Sequence, residues 1–301
     1  MFLAPLQTQS PHKQFELRLV SGAKLFYRLQ TPPKSPTSNW SARLCYTQRI
    51  TKLKMHQETP TGYEPLNTPK KVADNIWIVD GPAISFYGLP YTTRMTIIKL
   101  QNGDLFIHSP ISLTKDLKKK VAQLGTVRHL VSPNWIHYEY IPQWAKAFSD
   151  TIAWASPGVQ NRVKKFKSSA MFERNLGKTA EKEWANDIEQ MIVQGHSIHK
   201  EVVFFHKRSK TLILTDLIEN FESSKIPFWF RPFAWLAGVL DPDGKAPIDM
   251  RLTFYKGKKE LQSAVEKMIA WQPERVVLSH GRWYERDGVK ELKRSFRWVL
   301  K

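Results

Sequence analysis

The chain has 301 residues, 42% of them hydrophobic and 11 of them Trp, which excludes a disordered polypeptide and allows one large core or two small ones. Its single cysteine, Cys45, excludes an intramolecular disulfide and a cysteine-built zinc site, and fits a reducing compartment. The formal charge of +19 fits either an anionic partner or a solvated basic surface, and by itself says nothing of fold.

Residues 1–54 carry nine Lys and Arg against one acid, Glu16, together with ten Ser and Thr. They hold no apolar core of the kind a secretory signal needs. Three readings stay open: a flexible basic extension upstream of a true start at Met55, an organelle transit peptide, or a hairpin over Phe15–Phe26. The corresponding location is cytoplasmic, or a plastid or other organelle for a transit peptide.

A folded domain is expected over 71–301. Asn75–Asp80 reads as a strand ended by Gly81-Pro82, and Thr93–Leu100 as a second. Asn102-Gly103 is a hairpin turn leading into Asp104–His108. Thr114 caps a helix whose apolar residues Leu117, Val121 and Leu124 follow the i, i+4, i+7 spacing. Val127–Val131 is a strand, Tyr140–Phe148 a helix and Ile152–Ala155 a short strand; 159–185 are mixed helix and loop. Two apolar runs, Val202–Phe205 and Leu212–Leu214, flank a basic turn and read as a β-hairpin. The pairing brings His196, which enters the first run, and Asp216, which leaves the second, to one sheet edge. Ile226–Leu240 is apolar but too short to span a bilayer, and is interrupted by Arg231-Pro232. It reads as a buried helix or lid, with an interfacial membrane contact as the alternative. Leu252–Tyr255 reads as a strand, Lys259–Trp271 as an amphipathic helix, Val276–Ser279 as a strand and Val289–Leu300 as a helix. There is no internal repeat and no transmembrane segment.

Polar residues collect just past strand ends at four places: His108-Ser109, Asn134/His137, His196 with Asp216, and His280. In α/β folds such positions carry sites, because strand ends fix side chains and loops give access. Three His and one carboxylate can hold one Zn²⁺, or Fe or Mn with added waters. His129, inside a strand, and His199 and His206, in or beside the central one, read as structural.

The order strand, turn, Gly-His, strand, turn, strand, Asp, then strand, His-Gly, helix resembles the second half of the metallo-β-lactamase fold. The stretches VADNIWIVDGP, MTIIKLQNGDLFIHSP, HLVSPNWIHYEYIPQW and AWQPERVVLSHG are similar to an uncharacterised domain-of-unknown-function branch of that superfamily, common in photosynthetic organisms. The resemblance covers roughly Lys71 to Arg297. It implies an α/β layered fold, an αββα sandwich of two mixed sheets flanked by helices, with metal at one edge between the sheets. It further implies His196 and His280 as metal ligands and Asp216 as the carboxylate that bridges two metals in two-metal members. The family's first motif, His-x-His-x-Asp-His, is replaced by SPNWIHYEY, where only Asn134 and His137 could ligate, and His108-Ser109-Pro110 stands where Asp-Thr-Gly is usual.

With at most four strong ligands (His137, His196, Asp216 and His280), one divalent metal is expected rather than two, and a metal-free member stays open. The expected activity is that of a mononuclear metal-dependent hydrolase using a metal-bound water on an unidentified ester, thioester, amide or phosphoester. Asp216 or His137 would be the general base, and Ser109, Asn134 or Tyr138 would polarise the substrate, with His108 in the pocket loop. The alternative is a degenerate member that binds a ligand or partner without turnover. Nucleic acid is not expected, since the basic residues are scattered and no recognised module is present.

Overall fold

The computed structural model describes residues 62–86, 88–196 and 199–300. The basic segment 1–54, with all three of its readings, lies outside the described residues.

Two mixed sheets form the centre. The first has seven strands in chain order: β1 (Lys70–Ala73), β2 (Ile76–Phe86), β3 (Leu89–Lys99), β4 (Asp104–His108), β5 (Thr126–Ser132), β6 (Ile152–Ala155) and β7 (Arg174–Asn175). Its pairs are antiparallel up to β4 and parallel from there on. The second sheet runs β11 (Arg275–Val277), β10 (Thr211–Ile213), β9 (Val202–His206), β8 (Ile188–Ile192). The expected hairpin is β9–β10, antiparallel, and β11 lies parallel to β10.

The strands alternate because side chains on a pleated strand point to opposite faces. Phe106, Val131, Phe204, Ile213 and Val277 fill the space between the sheets. Met95, Ile97, Leu105 and Ile107 face outward under helices α1 (Lys115–Ala122), α2 (Ile141–Ala147) and α3 (Val159–Phe166). Val203, Phe205 and Leu212 face the other way, against α6 (Lys258–Ala270) and α7 (Gly288–Ser295). The result is the four-layer α/β sandwich that the resemblance implied. Thr114 caps α1 as expected, its hydroxyl accepting from the Leu117 N–H at 3.1 Å.

Several boundaries differ from the sequence reading. β2 does not stop at Gly81-Pro82 but continues to Phe86 through an irregular register between Gly81 and Ile84. A proline, lacking an N–H, is tolerated in a strand at such a bulge. Strand β8 was not anticipated. The expected strand over Leu252–Tyr255 is instead the end of a helix, α5 (Ile248–Thr253), preceded by Pro247. The four-residue window LTFY hid the helical spacing of Ile248, Leu252 and Tyr255. The expected buried helix at Ile226–Leu240 is α4 (Arg231–Ala237), in which only Ala234 is buried. Helix α7 ends at Ser295, five residues before the expected end.

Candidate metal centre

Four connections leave the strand ends at one edge between the sheets, after β4, β5, β10 and β11. Asn134, fully buried after β5, organises the first. Its Oδ1 accepts from the N–H groups of Ile136 (3.0 Å) and His137 (3.2 Å), which is the local turn an Asn side chain favours. Its Nδ2 donates to Asp216 Oδ2 at 2.6 Å and to Thr215 Oγ1 at 3.1 Å. The same side chain therefore shapes the His137 turn and steers the carboxylate. Asp216 sits on a turn held from beneath by Glu201. One Glu201 oxygen accepts from the Thr215 N–H (2.7 Å), the other from those of Asp216 (2.8 Å) and Leu217 (3.2 Å).

Three ligand-type atoms then converge. His137 Nε2 and His280 Nε2 each lie 3.2 Å from Asp216 Oδ1 and 3.4 Å from one another. A tetrahedral cation with bonds near 2.05 Å requires donor–donor edges of about 3.3 Å, so the spacing matches such an ion. The far ring nitrogens are engaged: His137 Nδ1 with Ser109 Oγ (2.7 Å) and His280 Nδ1 with the Thr92 carbonyl (2.7 Å). A carbonyl only accepts, so His280 Nδ1 carries a proton: in the neutral ring the Nε2 lone pair faces the cluster, and in the protonated ring Nε2–H donates to Asp216. This is the outer support that metal-binding histidines use.

The His280 turn is fastened to the first sheet by Arg94 of β3, buried at 3% exposure. Arg94 Nη1 donates to the carbonyls of Leu278 and Gly281, both at 2.7 Å. Its Nη2 lies 2.8 Å from Asp80 Oδ1, and Lys70 Nζ lies 2.5 Å from Asp80 Oδ2. Both contacts are ion pairs by distance but sit outside hydrogen-bonding geometry. Gly281 has φ +82°, and a Cβ there would come within 2.1 Å of the Asn220 carbonyl oxygen.

A second group, His199, Glu201 and Asp216, lies on the other side of the shared aspartate. His199 Nε2 is 3.8 Å from Glu201 Oε2 and 3.9 Å from Asp216 Oδ2, and is buried with no hydrogen-bond partner among the described residues. His196, expected as a ligand, is in neither group. Its Nδ1 accepts from the His199 N–H (2.7 Å) and its Nε2 meets Thr253 Oγ1 at 2.5 Å. The Gly195 turn carrying it has φ +99° and presses against Gly257, where a Cβ would meet the carbonyl oxygen at 2.2 Å. Tyr138 also departs from expectation: it packs with Ile141 and Trp144 in the outer core, where an aromatic ring gains more than at a polar cluster. His108 is fully buried against Phe204, and neither of its ring nitrogens has a hydrogen-bond partner among the described residues.

The electrostatics follow from burial and these contacts. Burial alone would raise Asp216, but the charge of His137 and hydrogen bonds from His137 and His280 hold its carboxyl well below the usual range. Burial pulls His280 down, yet Asp216 and then Glu219 outweigh it and the net shift is upward. Burial, then the charge of His137, pushes His108 down to about 3; burial, then His199, pushes His196 down to about 4. Glu219, buried three residues past Asp216, is raised to about 8, chiefly by burial and, against the pull of His280, by Asp216, Asp249 and Glu201. Tyr91, whose ring meets His280 edge-on at 5.2 Å, is raised mainly by Glu219.

The family model described as Domain of unknown function (DUF4336) matches residues 73–232. No curated protein matches the chain. Among solved structures, the chain is similar to DIM-1 metallo-β-lactamase (17% identity, 77% of this chain and 96% of that one, TM-score 0.54). It is similar also to VMB-1 (14%, 77% and 96%, TM-score 0.53). A third is rubredoxin oxygen:oxidoreductase from Desulfovibrio gigas (13%, 77% and 61%, TM-score 0.54). At these identities the likeness establishes the metallo-β-lactamase fold.

Proposed function

The chain belongs to the DUF4336 family, and we propose that it works as a mononuclear metal-dependent hydrolase on an ester, thioester, amide or phosphoester. The observation that carries this is the triangle of His137 Nε2, Asp216 Oδ1 and His280 Nε2, with edges of 3.2, 3.2 and 3.4 Å. Those three side chains would hold the metal, and three protein ligands leave a position open to solvent or substrate. Two nitrogens and one carboxylate oxygen suit zinc, and iron or manganese with added waters. A bound divalent cation there supplies Lewis acidity, polarising a carbonyl or phosphoryl oxygen and acidifying water.

The rest falls to the chain's own groups. Ser109 and Thr92 hold the two imidazoles in orientation, and Asn134 holds Asp216 by its second oxygen. Three of the roughly four acceptor sites of Glu201 are taken by backbone amides, which speaks for one metal rather than two. His137 and Asp216, expected as general base, are spent as ligands in this reading.

The test is metal content by mass spectrometry of chelator-free protein, with His137→Ala and His280→Ala alongside. About one equivalent of metal, lost in both variants, is the expected result. No metal in the wild type, with both variants folded and unchanged, would sink the hydrolase reading and leave a member of the fold that binds a ligand without turnover.

A further inference from the structure

Helices α4 and α5 are apolar where they meet water. Helix α4 is anchored by Ala234, packed with Phe221, Phe230 and Val239, but turns Phe233, Trp235 and Leu236 outward, beside exposed Phe228. On α5 and just past its end, Ile248, Leu252 and Tyr255 recur at helical spacing, and all three are exposed, Tyr255 at 86%. The two helices contact each other, so their outward residues belong to one surface. Single exposed apolar residues need no explanation, but seven large ones on and beside two adjoining helices mark a surface that something covers.

The charge beside them indicates what. Lys256, Lys258 and Lys259 follow Tyr255 directly, and all are exposed. Apolar and aromatic side chains that enter an interface, bordered by lysines that stay in the headgroup layer, are the two components of anionic membrane binding. We propose that the α4–α5 face docks on an anionic lipid bilayer, as a peripheral contact with Phe228, Phe233, Trp235, Leu236, Leu252 and Tyr255 inserted at headgroup depth. No described helix is long and apolar enough to cross a membrane, which fits a surface contact. On its inner side α5 meets the Gly195 turn, where Thr253 Oγ1 lies 2.5 Å from His196 Nε2.

Vesicle cosedimentation of the full chain tests this, with phosphatidylcholine vesicles against the same vesicles containing phosphatidylglycerol. A Phe233→Ser/Leu252→Ser variant and a Lys256→Glu/Lys258→Glu/Lys259→Glu variant are run in parallel. Both change exposed positions, and unchanged melting temperatures verify that they fold. The wild type should bind the anionic vesicles, the apolar variant should lose binding at least ~10-fold, and the charge variant should lose a comparable factor and most of its salt dependence. Anionic binding that persists in the apolar variant would assign it to the basic segment 1–54 and overturn the proposal. Equal binding to neutral vesicles would overturn it as well. So would absence of vesicle binding together with a dimer that the apolar variant abolishes, which would assign the face to a second copy of the chain.

Discussion

Arg94→Met should both destabilise the domain and loosen the candidate metal centre, because Arg94 joins the first sheet to the turn that carries His280. Methionine keeps the volume and stem of the side chain and removes the charge and donors. Breaking a buried ion pair by removing one partner costs about 3–5 kcal/mol, and Asp80 keeps Lys70, so about 3 is the appropriate end. The Leu278 and Gly281 carbonyls lose a charged donor, which adds about 1 kcal/mol each before coupling between the two effects is allowed for. A net loss of about 4 kcal/mol lowers the melting temperature of a domain this size by roughly 8–16 °C. The Thr92–His280 bond lies on the same connection, so metal affinity should fall about 10–100-fold, the usual effect of disturbing the groups behind a metal ligand. The assay is a thermal melt together with a competitive zinc titration, repeated for Asp80→Asn/Arg94→Met. The double variant should be less damaged than the sum of the singles, since it leaves no unpaired buried charge. A lowered melting temperature with unchanged metal affinity would show that Arg94 does not hold His280 and would refute the reasoning.

Acid should destabilise the fold through buried neutral histidines. His108 (about 3), His129 (about 4) and His196 (about 4) all lie below the ordinary 6.5, so the unfolded chain takes up their protons first. Their stabilisation is complete above about pH 6.5 and is lost as pH falls toward 4, on the order of 3 kcal/mol for a two-unit shift on a buried group. Melts across that window should show a positive slope with pH, flattened by His108→Leu, and an unchanged slope would refute the assignment of His108. Gly281→Ala sets a Cβ within 2.1 Å of the Asn220 carbonyl at φ +82°, so it should cost about 3 kcal/mol or more and reduce bound metal. Glu219→Gln removes a carboxyl whose folded pKa is raised, so native stability should change little below about pH 4.5, gain progressively as pH rises from there, and hold the full gain above about pH 8, as read from urea midpoints. If the gain instead appeared only in acid, the burial of Glu219 would not be the cause.

The layered fold was legible because its signals are local and repeated. Asn102-Gly103 joins β3 to β4, Thr114 caps α1, and the two apolar runs around His206–Lys210 pair as a hairpin. Each rests on a turn or a period that a few residues suffice to specify. What failed were segments whose period was cut short by the window. Leu252–Tyr255 seen alone alternates like a strand, and only Ile248 four residues earlier reveals the helix. Strand β8 carries buried Gln190 among its apolar residues, a polar core position that obscures the pattern and is explained only by its bonds to Trp184 and the Gly177 carbonyl.

The site was legible as a set of strand ends, but not as a division of labour, and the difference lies between His196 and Glu201. Both precede the same apolar strand, and a histidine in a Gly-His turn looks more like a ligand than a glutamate beside a lysine. Three dimensions reverse their importance. The tight Gly195–Gly257 contact anchors the turn against the segment that follows α5, where His196 meets Thr253 and His199, away from the triangle. Glu201, one residue before β9, reaches across to three amides 14 to 16 positions later and fixes the Asp216 turn. Neither fact follows from spacing, because each depends on a contact that only tertiary packing creates. Arg94 and Asp80 share that character: a charged pair inside two apolar strands is unexplained by either strand, and makes sense only with the His280 turn lying above it. A buried charge in a strand expected to be apolar is therefore the sequence feature here that most directly marks the loop it supports.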